Sequence, residues 1–443
     1  MHNGEIRMRD VVRMSFPMMI SALSTHIMIV LDQLVLARYS IEAMTGASSA
    51  SVWCSAFQYS TMSVILICSA IVGNYNGAQK YHMAGMPVWQ MIWFAISLFL
   101  ISIPISLFAG RHCIPPNLYT FGLPYFRICS LFIPICGISC ALSGFFIAIG
   151  RGMFVTFSII VANVVNVIVD IILVFGFFGI DNFMGSAGAA IGTVFSWFVH
   201  CILLFLFFFR KDFREKYHTL DFRLRLQKLK EYLRLGGVGG IGHICEMLAW
   251  GTIYYTLANI STEIAMIQSI AVSVNVFMAF IVAGLEKGIM AMTANLLGAG
   301  MKDKIMGLIK NGIGIHLIFS IFIATVFIFS PDFIISNFIK FQVSDAILQD
   351  TVFILRLVLF YFLIDGVCWV IAGVLEAGGD LGFTMFTIAS CIWSIVTIPS
   401  IIFARYNVLN IKLTWYLLIV SVSIMSSVLY YRYKSSKWIH IKI

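Results

Sequence analysis

Residues 72–80 read VGNYNGAQK, and residues 293–301 read TANLLGAGM. At an offset of 221, Asn74 falls on Asn295, Gly77 on Gly298 and Ala78 on Ala299. Farther on, GFFIAIGRGMF (144–154) meets GVLEAGGDLGF (373–383) at an offset of 229, and Arg127 meets Arg356 at that same 229. Glycine and alanine are common wherever helices pack closely, so a single match would carry little. Three in order, at a nearly constant offset, indicate an internal duplication.

The copies are built from apolar runs. The chain has 443 residues, is 60% hydrophobic and only 11% charged, and has a mean hydropathy of +0.96. A soluble protein of this size needs far more polar surface, so lipid must be the solvent. Twelve runs are long enough to cross a bilayer, which takes about 20 residues. Their limits are 11–37, 47–72, 87–109, 118–149, 155–178, 186–209, 235–258, 264–297, 306–329, 347–378, 383–405 and 411–431. They are called spans 1 to 12 below. The opening MHNGEIRMRDVVRM leads straight into span 1, without the short apolar core and small-residue cleavage site of a secretory signal. Span 1 is therefore expected to act as its own targeting signal. The fold class expected is an all-α membrane protein with twelve transmembrane helices in two pseudo-symmetric six-helix bundles. Residues 1–209 form an N-lobe, 210–234 a basic linker helix on the inner membrane surface, and 235–443 a C-lobe with a short tail. Phe222, Leu226, Leu229 and Leu233 repeat at helical spacing in that linker, among basic residues. Six spans per copy is an even number, so the copies run in parallel, related by an axis along the membrane normal, as in many secondary transporters.

The net charge of +9 raises the question of nucleic acid, and its distribution answers it. With the N-terminus inside, the inner loops and tails carry most of the lysine and arginine, nine of them between 210 and 234. The outer side carries Arg38, Arg111, Lys340, Arg405 and Lys412. This asymmetry sets both termini on the cytoplasmic side of a plasma membrane, and no nucleic-acid partner is expected.

Ionisable groups inside a bilayer are costly and usually functional. In span 1, Ser21, Thr25 and Asp32 share a helical face; in span 5, Asn163, Asn166 and Asp170 do so. Span 6 opens GSAGAAIGTVFS (185–196), with small residues for close packing and Thr193 as a candidate hydroxyl ligand. If spans 1, 5 and 6 meet, these oxygens form a pocket for a monovalent cation or a proton. For the asparagines, a hydrogen-bond clamp between helices is an equal alternative. For the acids it is weaker, because an unpaired mid-membrane carboxylate costs roughly 2.5–3.5 kcal/mol. In the second half, Glu246 follows His243 by three residues, and Asp365 precedes Trp369 by one turn. At the repeat offset Asp365 falls on Cys136 and Asp170 on Pro399, so the scaffold was copied and the charges were not. Glu286 and Lys287 add an adjacent charged pair in span 8, with Lys287 a candidate countercharge to Glu246 or Asp365 or a side chain that reaches back to the inner surface. Arg127 and Arg356 read as surface-seeking anchors near span ends. His26 and His243 lack metal-spaced partners and read first as packed histidines.

Two acids sharing a dry site cannot both ionise cheaply. Such a site holds a proton, a metal ion or an organic cation, one at a time, which is the requirement of an antiporter. Other chemistry lacks its motifs. GVGGIG (237–242) fits a nucleotide fingerprint, but it opens a membrane helix with no strand before it. No P-loop, HExxH or GxSxG occurs, so an ATP-driven pump or a hydrolase is disfavoured and no enzymatic activity or cofactor is expected. The ten cysteines lie mostly in apolar runs and read as small buried hydrophobes.

FPMMISALSTHIMIVLDQ (16–33), IVGNYNGAQ (71–79), NVVNVIVDIILVFG (163–176), GAAIGTVFS (188–196), the spacing from LGGVGG to Glu246, and IDGVCWVIAGVLEAGGD (364–380) together resemble the multidrug and toxic compound extrusion (MATE) family. The likeness runs over nearly the whole chain, and the presence of both Glu246 and Asp365 is most similar to its NorM-type branch. It implies two six-helix lobes, a V-shaped cavity, and efflux of small amphipathic cations by a monomer, driven by Na⁺ or H⁺. It implies that Asp32, Asn166, Asp170 and Thr193 form an N-lobe cation or proton site, with Asn163 on the same face. It implies that Glu246 and Asp365 form a C-lobe cation site; Glu286, Lys287 and His243 are accessory candidates by their own positions in the chain. Na⁺ would sit at one acid pair or the other. Three features depart from the family pattern: Val238 in place of a proline, Glu376 in place of a basic residue, and the Glu286–Lys287 pair. A lipid-linked precursor flippase of the same superfamily is the first alternative, but it would want a basic cavity. A membrane protein outside transport is the second.

Overall fold

The computed structural model describes residues 6–176, 184–329 and 345–441; Lys340 and Lys442, counted above on the outer and inner sides, lie outside the described residues. The described residues are helical, with no strand among them. Among the described residues, eleven helices are long and apolar enough to cross a membrane: Met8–Tyr39, Ile41–Gly77, Tyr81–Cys113, Pro116–Ala148, Gly152–Phe175, Gly185–Phe208, Glu263–Gly298, Lys302–Thr325, Ile347–Ala377, Leu381–Arg405 and Ile411–Lys434. The remaining expected span, 235–258, lies within the helix Leu226–Ala258. Its five glycines between 236 and 242, together with His243, Glu246 and two tyrosines, dilute the apolar run.

The duplication is visible in the turns. The helix ending at Gly77 and the helix ending at Gly298 close alike: Lys80 N–H bonds to the Tyr75 carbonyl and Met301 N–H to the Leu296 carbonyl, both at 2.9 Å. The left-handed residue is Gln79 (φ 59°) in the first copy and Gly300 (φ 74°) in the second. The pair at offset 229 behaves likewise. Arg151 N–H reaches the Phe146 carbonyl at 2.8 Å, Asp380 N–H reaches the Leu375 carbonyl at 3.1 Å, and Gly150 and Gly379 take φ of 76° and 89°. Each is a helix C-cap in which the left-handed residue lets the chain return to satisfy open carbonyls. Matched positions also touch. A Cβ on Gly77 would meet the Asn295 carbonyl, and a Cβ on Gly298 would meet the Asn74 carbonyl. The two contacts are reciprocal at positions matched by the offset of 221. Asn76 Nδ2 donates to Asn295 Oδ1 at 2.6 Å, and Asn295 Nδ2 donates to the Ala148 carbonyl at 2.7 Å.

The chain forms two compact units. One comprises Ile20–Ile241 and Ala294–Met301; the other comprises Met1–Met19, Gly242–Thr293 and Lys302–Lys442. In the first, the GGVGGIG stretch packs as helix: a Cβ on Gly236 or Gly240 would collide with Val64, and Ser60 Oγ donates to the Gly240 carbonyl at 3.0 Å. In the second, Gly284 and Gly288, one turn apart, receive Met19 and Ser15 with no room for a side chain.

The basic stretch 210–234 is not one helix. Lys211–Tyr217 is helical, His218 turns left-handed (φ 50°), and helix resumes only at Leu226. Between them, span 3 captures the backbone. Trp89 Nε1 donates to the Thr219 carbonyl at 2.7 Å, Trp93 Nε1 to the Phe222 carbonyl at 2.8 Å, and Gln90 bonds both the Arg223 carbonyl and Arg225 N–H. These bonds satisfy peptide groups that a continuous helix would have used internally. The apolar repeat at Leu226, Leu229 and Leu233 belongs to the start of span 7.

Candidate functional site

Spans 1, 5 and 6 do meet, and they bring Asp32, Asn166, Asp170 and Thr193 together within the first unit. Asn166 and Asp170 are both 0% exposed. The carboxyl groups of Asp32 and Asp170 are in hydrogen-bonding contact. Asn166 stands between helices. With its amide oriented to match its neighbours, Nδ2 donates to Asp32 Oδ1 at 2.8 Å and Oδ1 accepts from Thr193 N–H at 3.1 Å. Asp170 Oδ2 is buried with no donor. The small residues of span 6 are what admit the acid: a Cβ on Gly192 would fall on Asp170 Oδ1.

Two side chains take other roles. The Thr193 hydroxyl donates to the Ala189 carbonyl at 3.0 Å, so the group it turns to the cluster is its backbone N–H. Asn163 donates to Ser24 Oγ at 2.7 Å, two helical turns from Asp170, and joins spans 1 and 5. Ser21 and Thr156 make a similar bond at 3.0 Å. Thr25 bonds the Ser21 carbonyl, and His26 Nδ1 lies 2.7 Å from the Ala22 carbonyl, both within their own helix. Tyr125 and Cys129 of span 4 come within electrostatic reach of both acids. No sequence pattern marks Tyr125, because it arrives from a distant span.

The second unit carries its own acids. Glu246 Oε2 is buried, stands 3.3 Å from His243 Nδ1 and takes no aligned hydrogen bond. Asp365 accepts from the Tyr361 hydroxyl at 3.4 Å and from Trp369, and it lies within electrostatic reach of Glu246. Tyr361 stands edge-on to Trp415, whose Nε1 donates to Gln268 Oε1 at 3.0 Å. This chain of contacts fixes the phenol that holds Asp365. Tyr361 was legible as the residue one turn before Asp365 on the same face. Trp393 Nε1 donates to the Cys245 carbonyl at 2.9 Å and pins the backbone beside Glu246.

Among the described residues, no lysine or arginine pairs with Asp32, Asp170, Glu246 or Asp365. Arg127 and Arg356 are exposed, and Lys287 forms no ion pair among the described residues. All ten cysteines are free thiols. No group of three or more His, Cys, Asp or Glu converges to hold a metal ion among the described residues.

The MatE family profile matches residues 17–172 and 245–402, one block in each copy of the duplication. The chain belongs to the multidrug and toxic compound extrusion family. Curated relatives include the Probable multidrug resistance protein NorM of Bacillus cereus, 25% identical over 268 residues, and that of Pseudomonas putida, 25% identical over 412 residues. The chain spans 58% of the Bacillus cereus relative and 86% of the Pseudomonas putida one; the matched segments are 58% and 89% of this chain. Among solved structures, a MOP superfamily transporter from Pyrococcus furiosus superposes with a TM-score of 0.83 at 16% identity, covering 98% of this chain and 97% of that one. An outward-facing multidrug resistance MATE transporter gives 0.82 at 16% identity, covering 98% and 97%. The fold is therefore that of MATE transporters, a multi-pass membrane protein. The description of the Pyrococcus protein speaks of a binding pocket of reverse polarity and a different function, so the fold by itself does not fix the cargo.

Proposed function

We propose that this MATE-family protein is a secondary active efflux antiporter that exports small amphipathic organic cations in exchange for Na⁺ or H⁺. The observation that carries the reading is the Asp32–Asp170 contact: two carboxyl groups against each other, one fully buried, with no basic partner among the described residues. A carboxyl donates a hydrogen bond only when protonated, so this contact requires a proton or a cation between the two groups. Asn166 holds Asp32 in place while that charge comes and goes. Glu246 and Asp365 form the second cation-accepting pair, with His243 able to supply or withdraw a positive charge beside Glu246.

Exchange follows from exclusion. A coupling cation and a cationic cargo that neutralise the same acids must weaken each other's binding, and the effect is reciprocal. Acidic, cation-accepting pairs favour cationic cargo over the pyrophosphate headgroup that a flippase would carry. The lobes are assigned to residues 1–209 and 235–443, with six spans in each. The protein lies in the plasma membrane as a monomer with both termini cytoplasmic, as the distribution of lysine and arginine favours. The basic residues of 210–234 rest on the inner surface.

The test is ethidium efflux from vesicles containing the protein, under separately imposed Na⁺ and proton gradients. Efflux driven by one gradient and lost in Asp32→Asn or Asp170→Asn supports the assignment. Normal efflux by those two together with Glu246→Gln and Asp365→Asn defeats it.

A further inference from the structure

A second pair of acids lies in the unit that holds Glu246 and Asp365, beside that pair. Glu376 ends span 10 and is 1% exposed. Neither of its carboxyl oxygens has a hydrogen-bond donor among the described residues. Its carboxyl contacts that of Glu286, from span 8. The approach is enforced by the backbone: a Cβ on Gly373, one turn before Glu376, would lie 2.8 Å from the Glu286 carbonyl. The turn after Glu376 is closed by the end of the chain. His440 and Ile441 donate their N–H groups to the Gly378 carbonyl, at 2.7 and 3.1 Å, and Trp438, 3% exposed, covers Gly378. Beyond it, Asp380 is held by Arg432 at 2.7 Å and by His440 at 3.0 Å, so those cations are committed to another carboxylate.

The charged neighbours of Glu286 among the described residues are Lys287, His243, Glu246, Asp365 and Glu376. Among the described residues, Glu376 has Glu286 as its charged neighbour. Eleven residues of helix separate Asp365 from Glu376, about 16 Å at the helical rise, so Glu376 stands apart from Asp365 while Glu286 borders the Glu246–Asp365 site. Two ionised carboxylates offer four acceptor oxygens and no donor, and in a dry setting they repel. One proton resolves both problems: the acid donates to the carboxylate, and the pair carries a single negative charge, which Lys287 lies near enough to offset.

We propose that Glu286 and Glu376 form a proton-binding site of their own, an acid–carboxylate pair that retains one shared proton at neutral pH. The inference concerns proton binding and stands whether or not the protein exports organic cations. The sequence points the same way, because Glu376 occupies a position where the resemblance leads one to expect a basic residue, and an acid there has no salt-bridge use for Glu286.

Infrared spectroscopy of the full chain in lipid, reading the carbonyl stretch of protonated carboxyl groups at neutral pH, tests this. Wild type is expected to show a band that Glu376→Gln removes, because the new amide donates to Glu286 and leaves it ionised. Glu286→Gln is expected to remove the same band, and the double variant to lose no more than either single one. Unchanged intensity in both single variants would overturn the proposal. So would additive loss of two distinct bands, which would mean two independent acids. Should Glu376→Gln fail to fold, Glu286→Gln carries the same expectation from the half-buried partner.

Discussion

Asp32 and Asp170, from the first and fifth spans, hold their carboxyl groups in contact, and Asn166 lies one turn before Asp170 to fasten Asp32 in that position. The arrangement is stable only with a positive charge in it. Asp170→Asn is expected to leave the protein folded, because an amide can donate where the proton did. Ion-driven efflux should fall at least tenfold, measured in vesicles against the amount of protein incorporated. The same loss is expected for Asp32→Asn.

Gly192 separates that account from a looser one. A methyl group there would occupy the place of Asp170 Oδ1. Gly192→Ala should therefore reduce efflux as strongly as the loss of Asp170 itself. Thr193→Val should leave it near wild type, because the Thr193 hydroxyl is already bonded to Ala189 and the backbone N–H is untouched. Equal damage from both variants would mean that the hydroxyl serves the site.

Asn163 is a clamp by its geometry, since its amide reaches Ser24 and not the acids. Asn163→Ala should lower thermal stability by about 0.6 kcal/mol, the average for a hydrogen bond between membrane helices, and leave ion dependence unchanged. A changed ion dependence would return Asn163 to the site.

Much of this was legible in the sequence, for definite reasons. The polar faces of spans 1 and 5 were visible because helical spacing carries over unchanged into the folded helix. The duplication was visible in part because its turns need particular residues: Gly150 and Gly379, matched at an offset of 229, both take left-handed conformations. Tyr125 was invisible, because its approach to Asp32 is set by packing between spans 4 and 1. The break in 210–234 was invisible for a similar reason: Trp89, Gln90 and Trp93 capture that backbone from another helix. The glycines that open span 7 read as helix packing, and they do pack against Val64 and Ser60.

The matched turns give a prediction of stability. Gln79 holds φ 59° where its counterpart is Gly300. A left-handed conformation costs a residue with a side chain roughly 1–2 kcal/mol, part of which glycine returns through its freedom when unfolded. Gln79→Gly should raise thermal stability by a few tenths to about 1 kcal/mol, and Gly300→Gln should lower it by a similar amount. The same sign for the two would mean that the turns are not equivalent.

Tyr361→Phe removes a donor from Asp365 while keeping the ring against Trp415. A hydrogen bond to a charged group contributes about 1.5–3 kcal/mol at most, and this one is long at 3.4 Å. The coupling-ion concentration for half-maximal efflux is expected to shift severalfold, with the maximal rate retained. An unchanged concentration dependence would remove Asp365 from ion binding.

The central claim is that cargo and coupling ion compete for the charge of Asp32 and Asp170. The most direct measurement is proton or Na⁺ release when ethidium is added to purified protein in weakly buffered lipid nanodiscs. The account predicts release of one or the other cation from wild type, and its loss in the Asp32→Asn, Asp170→Asn double variant. Ethidium binding by wild type with no cation released, or release that survives the double substitution in full, would contradict it.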